Sequence, residues 1–123
     1  MPLRPSILRP NGEVRLYRRL PYGDLATLHV LDTRQYRSPH ACATPEERGG
    51  QAVADCAEAL SPARTMMGQA QEAWLASGLK GERARWSLIV QQTLFSRLVL
   101  PQGPRSRYTD IWDGYEATRE RVL

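Results

Sequence analysis

The strongest constraint on the fold is a turn signal between two segments of strand-like sequence. Tyr22-Gly23-Asp24 separates the stretch that begins at Glu13 from residues 25–32. Apolar and polar residues alternate imperfectly in the first stretch, whereas the second is almost continuously apolar. Alternation is typical of a half-buried strand, and glycine beside aspartate between two such segments is typical of a hairpin. The sequence therefore predicts a β-hairpin whose second strand is the more buried one.

Downstream, the pattern predicts a helix followed by another strand. Residues 68–77 favour a helix, and Gly78 stands where a C-terminal stop is expected. After a charged turn, the apolar run 86–90 predicts a buried strand. A helix, a short turn and a strand make up half of a βαβ unit. Residues 93–100 are compatible with either a helix or a strand.

The end of the chain predicts a further helix over residues 115–123, with Asp113 as its N-cap. The intervening residues 33–59 are polar and contain prolines and a Gly-Gly pair, so they predict a long loop with one helical turn near residues 53–59. Residues 1–12 contain three prolines and predict an extended arm.

Composition excludes several classes of protein. The net charge of +4 is spread along the chain, which argues against specific nucleic-acid binding. No apolar run approaches the roughly 18 residues expected of a membrane span. The first residues are interrupted by prolines and lack an apolar core, so they predict no signal peptide. The only cysteines, Cys42 and Cys56, could be a disulfide or two free thiols, and their spacing does not decide.

The densest polar cluster follows directly after the predicted buried strand. In open α/β sheets, ligands bind outside the carboxyl ends of strands. Arg34 could there hold a phosphate oxygen, with Asp32 beside it. Alternatively, Asp32 and Arg34 form an ion pair that only anchors the loop. Gln91 and Gln92 end the next predicted strand. Gln92 could likewise either belong to a phosphate site or have only a structural role.

Other reactive side chains point to structural roles. His29 lies within a predicted strand and is expected to be packed or at a sheet edge. His40 follows a proline in the long loop and is expected at the solvated surface. No metal-binding or nucleophile motif occurs, so no complete metal site is expected from this chain alone. Three tryptophans are expected in core or interface packing: Trp74, Trp86 and Trp112.

Several blocks of sequence, taken together, resemble the middle of PhoD-like alkaline phosphatases. They are YRRLPYGDLA at 17–26, LDTRQYR at 31–37, RTMMG at 64–68, QEAWL at 71–75, Trp86 with Gln91-Gln92, and WDGY at 112–115. The blocks follow the family's order and cover nearly the whole chain, although Pro21 replaces a residue that is usually basic. The resemblance implies that residues 13–123 are the central part of a phosphatase domain, truncated at both ends.

The same resemblance implies an α/β (α+β) fold of the calcineurin-like metallophosphoesterase type. The expected part of it is a partial sheet with a β-hairpin, a long cross-linked loop and two to three helices. It implies hydrolysis of phosphate esters by a metal-activated water, an iron and calcium centre, and an exported parent protein, in which Cys42 and Cys56 should form a disulfide. The family's metal-binding motifs lie on both sides of this stretch, so this chain is expected to bind no metal and to be inactive alone. The alternative function is a small non-catalytic binding or scaffold domain derived from a phosphatase.

Overall fold

Two small sheets and two helices make up the computed structural model, which describes residues 14–46 and 49–123. In chain order the elements are β1 (Arg18–Tyr22), β2 (Ala26–Val30), β3 (Ala52–Ala54), α1 (Gln69–Lys80), β4 (Trp86–Val90), β5 (Ser106–Tyr108) and α2 (Glu116–Val122). Short 3₁₀ turns lie at Ala57–Leu60 and Trp112–Gly114. The mixed α+β class expected from the sequence is confirmed, and the expected arm at residues 1–12 lies outside the described residues.

The predicted hairpin is present, because β1 and β2 pair antiparallel with Leu20 opposite Leu28. Gly23 adopts a positive φ of 57° in the turn, a conformation that glycine reaches without a steric penalty. The second strand is indeed the more buried, since Ala26 and His29 are buried whereas every residue of β1 is exposed.

The larger sheet has the order β1-β2-β4, and β4 runs parallel to β2. The half of a βαβ unit expected from the sequence is present as α1 and β4, and β2 supplies the parallel strand that completes it. The expected helix stop at Gly78 is wrong, since α1 continues to Lys80 and ends at Gly81. A single interior glycine costs a helix only about 1 kcal/mol, and Gly78 lies where the Arg19 guanidinium approaches the helix closely.

The burial predicted for β4 is wrong. All five of its residues are exposed, and Trp86 retains 60% of its accessible surface. Within the described ranges, β2 is the only strand that pairs with β4, so β4 forms an edge of the sheet. An apolar sequence therefore forms an exposed edge strand here.

The smaller sheet was not predicted. β3 and β5 pair antiparallel, with Val53 opposite Arg107. This pairing joins the long polar loop, which contains β3, to the region before α2, which contains β5. The helical turn expected near residues 53–59 occurs a little later, at Ala57–Leu60, and residues 52–54 are strand instead. Residues 93–100 form neither a helix nor a strand.

The terminal helix is present, but its expected cap is wrong. Tyr115 occupies the N-cap position of α2, and no side chain caps the helix there. Asp113 is buried in the 3₁₀ turn before it and accepts a hydrogen bond from the backbone N–H of Tyr108 at 3.3 Å. Its carboxylate therefore joins β5 to this turn instead of capping the N-terminus of α2.

The main core lies between α1, α2 and the loops that follow β2. Its fully buried members are Leu31, Met66, Met67, Leu75, Trp112 and Tyr115. Trp74 packs against this cluster and Trp112 lies within it, which confirms their predicted packing roles, whereas Trp86 lies outside the core. No helix in the described part of the chain has the length and apolar character needed to span a bilayer.

Candidate functional site

The polar residues that follow β2 and β4 meet at one end of the larger sheet. Parallel strands present their carboxyl ends at the same edge, so the loops after β2 and β4 are neighbours. The Gln92 side chain joins them, since its Oε1 accepts a hydrogen bond from the Thr33 hydroxyl at 2.8 Å. Its amide nitrogen donates to the backbone oxygen of Leu31 at 2.9 Å. Gln92 therefore holds the two strand ends together.

Asp32 organises the turn that follows β2. Its Oδ1 accepts hydrogen bonds from the backbone N–H groups of Arg34 and Gln35, at 3.0 and 3.1 Å. Its own backbone N–H donates to Gln71 Oε1 on α1 at 2.8 Å. Asp32 is itself 2% exposed, so a buried carboxylate caps a turn whose residues Arg34 and Gln35 are exposed. The expected ion pair between Asp32 and Arg34 is wrong, because the Arg34 side chain points to another carboxylate.

That carboxylate belongs to Asp110, on which three side chains converge. Arg34 Nη1 and Arg37 Nη1 lie 2.6 and 2.8 Å from Asp110 Oδ1, and His40 Nε2 lies 3.2 Å from the same oxygen. Burial by itself would raise the pKa of Asp110. The hydrogen bonds from Arg34 and Arg37 outweigh that effect and lower the pKa to about 2. Asp110 is therefore ionised at neutral pH.

The cluster formed by Arg34, Arg37, His40 and Asp110 carries at least one net positive charge at neutral pH. Arg34 is its most accessible member, with 47% of its side chain exposed, whereas the side chain of Arg37 is only 17% exposed. The hydrogen bond to Asp110 raises the pKa of Arg34 above its usual value. A fixed, permanently charged guanidinium at the edge of a sheet can donate to a phosphate or carboxylate oxygen.

Asp110 is placed by the smaller sheet and the loop that leads into it. The backbone N–H of Gln51 donates to Thr109 Oγ1, and the backbone N–H of Thr109 donates to the Gln51 oxygen, both at 3.0 Å. Gly50 lies directly against Asp110, where an added Cβ would collide with the aspartate side chain and lie 2.8 Å from its backbone nitrogen. Close approach of these two segments thus requires glycine at position 50.

Sequence reasoning located Asp32, Arg34 and Gln92 in this region but missed Arg37, His40 and Asp110 as a group. His40 was expected to be solvated, which is wrong, since only 15% of its side chain is exposed and its ring lies beside Asp110. Arg34 and Asp110 are 76 positions apart in the chain. No local pattern indicates that pairing, because it depends on how β3 and β5 come together.

The other histidine, His29, lies within β2. His29 is fully buried in β2, which confirms the packed position expected of it, and its ring centroid lies 6.2 Å from that of Trp74. Burial lowers the pKa of His29, and the neighbouring Arg19 lowers it further, although Glu82 at 3.5 Å acts in the opposite direction. His29 is therefore neutral at pH 7 and does not belong to the Asp110 cluster.

The two cysteines form a disulfide, with an S–S distance of 2.07 Å between Cys42 and Cys56. The bond closes the loop that carries Gly50 and Gln51 to Asp110. It also removes both thiols from the set of possible metal ligands. Among residues 14–46 and 49–123, no three His, Cys, Asp or Glu side chains come together in a geometry suited to a metal ion. The described residues therefore do not fit an iron or calcium centre of their own.

Comparisons with known proteins agree on one class, a phosphatase. The solved structure titled "Structure of PhoD" superimposes with a TM-score of 0.79 at 40% sequence identity, over 99% of this chain and 22% of that chain. Alkaline phosphatase D of Bacillus subtilis (strain 168) is 42% identical over 125 residues, which are 100% of this chain and 20% of that protein.

The family model described as PhoD-like phosphatase matches residues 1–123. The chain therefore belongs to the PhoD-like phosphatase family. It spans 20% of the length of the Bacillus relative, so the match covers a segment of that enzyme.

Proposed function

We propose that this chain is the central segment of a metal-dependent alkaline phosphatase, which hydrolyses phosphate esters with a metal-activated water. Family membership over the whole chain supports the phosphatase class. The observation that carries the proposal for these residues is the position of Arg34. It lies at the carboxyl end of a strand in a parallel pair, is held by Asp110, and is half exposed.

In this proposal Arg34 donates to a non-bridging oxygen of the substrate phosphate. A guanidinium suits this role because its planar donors match the geometry of phosphate oxygens and it stays charged at alkaline pH. Asp32 and Gln92 act indirectly. Asp32 fixes the turn that presents Arg34, and Gln92 fixes the strand ends beneath it.

The metal centre is proposed to lie in parts of the phosphatase outside this chain. The described donors do not converge, and the carboxylate of Asp110 is already surrounded by two arginines that would repel a cation. Iron and calcium, the metals that the resemblance implies, would supply a Lewis acid and an activated water. The isolated chain should therefore bind neither metal tightly and should have no phosphatase activity.

Export of the parent enzyme is part of the same proposal. The disulfide between Cys42 and Cys56 supports it, because such bonds persist mainly in oxidising compartments outside the cytoplasm.

The test is a graft. This chain replaces the matching segment of Bacillus subtilis alkaline phosphatase D, to which it is 42% identical. The graft should hydrolyse p-nitrophenyl phosphate with iron and calcium supplied, whereas the isolated chain should give only the background rate. In the graft, Arg34→Ala should lower kcat/KM at least about 100-fold, as expected when a preorganised donor to the reacting group is lost.

Arg83→Ala is the matched control, since Arg83 is an exposed arginine in the turn after α1. It should leave kcat/KM unchanged. Circular dichroism of both variants separates a loss of catalysis from a loss of fold. A folded Arg34→Ala graft with the activity of the Arg83→Ala control would exclude Arg34 from the phosphate site, and turnover by the isolated chain would refute the placement of the metal centre.

A further inference from the structure

A pocket with a basic lining opens beside the disulfide, between the loop that follows β4 and the smaller sheet. Its volume is about 350 Å³, which lies within the range of roughly 300 to 1,000 Å³ that is usual for ligand pockets. Three guanidinium groups line it, those of Arg97, Arg105 and Arg107. Among the residues that the structure describes, Asp55 is the one acid in the lining. None of these residues belongs to the cluster around Asp110.

Arg107 is the fixed member of this basic lining, with only 10% of its side chain exposed. Its Nη1 lies 3.6 Å from Asp113 Oδ1, and its Nη2 pairs with the carboxylate of Glu116. The same two carboxylates also lie beside Arg119, and Asp113 Oδ1 lies 4.0 Å from Arg97 Nε. Three guanidinium groups therefore share two carboxylates, so the group keeps a positive charge even with both carboxylates ionised.

Arg97 and Arg105 are the accessible members, with 43% and 81% of their side chains exposed. Arg97 donates to the backbone oxygen of Pro104, which uses only one of the N–H donors that a guanidinium carries. Arg105 Nε lies 2.9 Å from Asp55 Oδ1, and Asp55 is itself 59% exposed. An ion pair this exposed contributes little, so a ligand anion can replace the carboxylate. Both guanidinium groups therefore have donors available to a ligand.

The rest of the pocket lining is mostly apolar. It includes Ala57, Leu60 and Pro104, and Leu60 retains 51% of its surface. The 3₁₀ turn that carries Ala57 and Leu60 is anchored by the buried side chains of Cys56 and Ala59. Guanidinium donors beside a fixed apolar wall suit a ligand that carries an oxyanion on an organic group. The excess of positive charge favours a phosphate group, with about two negative charges at neutral pH, over a carboxylate with one.

We propose that this pocket binds a phosphate monoester, with the phosphate on Arg97 and Arg105 and the organic group against Leu60. Phosphate oxygens accept paired hydrogen bonds from guanidinium groups, and Arg107 adds a fixed positive charge beside them. Binding here requires neither a metal ion nor any role for Arg34, so the proposal is independent of the function proposed above.

The test uses phenylphosphonate, which has the shape of a phosphate monoester and contains no ester bond to hydrolyse. Titration into the ¹⁵N-labelled full chain, followed by NMR, should shift the backbone amide signals of residues 105–107. Inorganic phosphate should shift the same signals with a lower affinity, because it lacks the organic group that contacts Leu60.

Two variants remove the accessible guanidinium groups. Arg97→Ala should weaken phenylphosphonate binding about tenfold, because a charge-assisted hydrogen bond is lost. Arg105→Ala should weaken it about threefold, since Arg105 is the more exposed of the two. Arg83→Ala removes the same charge from the exposed turn after α1 and is the matched control, with no expected change. Arg34→Ala should also leave these shifts unchanged, which separates this pocket from the Asp110 cluster.

The amide spectrum of each variant shows whether it is folded, and Arg105→Ala carries the test if Arg97→Ala does not fold. Absence of shifts at residues 105–107 in wild type would overturn the proposal. Equal weakening in Arg97→Ala and Arg83→Ala would assign the binding to overall charge, and loss of the shifts in Arg34→Ala would assign it to the Asp110 cluster. Either result would overturn the proposal, as would equal affinities for inorganic phosphate and phenylphosphonate.

Discussion

Removing the charge of Asp110 should destabilise the protein, because two arginines are held by this one carboxylate. The change is Asp110→Asn, which preserves the size and shape of the side chain. The hydrogen bonds from Arg34 and Arg37 help to lower the pKa of Asp110 from 3.8 to about 2. A shift of that size corresponds to about 2 kcal/mol of folding free energy at neutral pH. Partial exposure of the pair reduces the expected loss to about 1 to 2 kcal/mol.

The expected pH dependence follows from the direction of the shift. Asp110 has a lower pKa in the folded protein than in the unfolded chain, so its contribution to the free energy of unfolding is complete above pH 3.8. It is lost as the pH falls through about 2, where the native carboxyl group becomes protonated as well. The difference in stability between wild type and Asp110→Asn should therefore be full at pH 7 and should vanish towards pH 2.

Urea unfolding followed by circular dichroism measures both effects. Titrations at pH 7, 5 and 3 compare wild type, Asp110→Asn and Glu120→Gln. Glu120 is an exposed carboxylate on α2 and serves as the control, with an expected change within about 0.5 kcal/mol. If Asp110→Asn were as stable as this control at pH 7, or lost stability equally at every pH, the ion-pair reasoning would be refuted.

Three further predictions concern other parts of the fold. Cys42→Ser opens a loop of 14 residues and should lower the free energy of unfolding by about 3 kcal/mol. The measurement is the midpoint of urea unfolding, and a reducing agent should lower the midpoint of wild type in the same way. Gly50→Ala should lower the free energy of unfolding by about 1 to 3 kcal/mol, because the added methyl group would clash with Asp110. Gly49→Ala, where the added methyl group meets open space, is the neutral control in the same thermal melts. His29 is held neutral mainly by burial, between Arg19 and Glu82, so folding should weaken as the pH falls below 6.5, where the unfolded chain takes up the proton. His29→Gln should flatten this part of the stability profile, and an unchanged slope would contradict the assignment.

Local sequence determined the elements whose signals lie within a few residues. The turn at Tyr22-Gly23-Asp24 predicted the hairpin, and the helix after Gly68 and the strand at Trp86 were placed within three residues of their observed positions. Turn residues and helix-forming side chains act on their immediate neighbours, so these preferences can be inferred without knowledge of the fold. The blocks of family sequence around Asp32 and Trp112 likewise indicated the phosphatase family before any contact was known.

Tertiary structure decided which of those segments meet. The pairing of β3 with β5 joins residues more than 50 positions apart, and it helps to bring Asp110 to Arg34 and Arg37. The fold also makes Asp113 a buried partner of β5 instead of the expected helix cap. It leaves β4 exposed, although the sequence of β4 is that of a buried strand. Burial and ion pairing depend on which residues the fold places nearby. A long-range contact stabilises the chain only once the loop between its two partners has closed, and a local sequence pattern does not specify that closure.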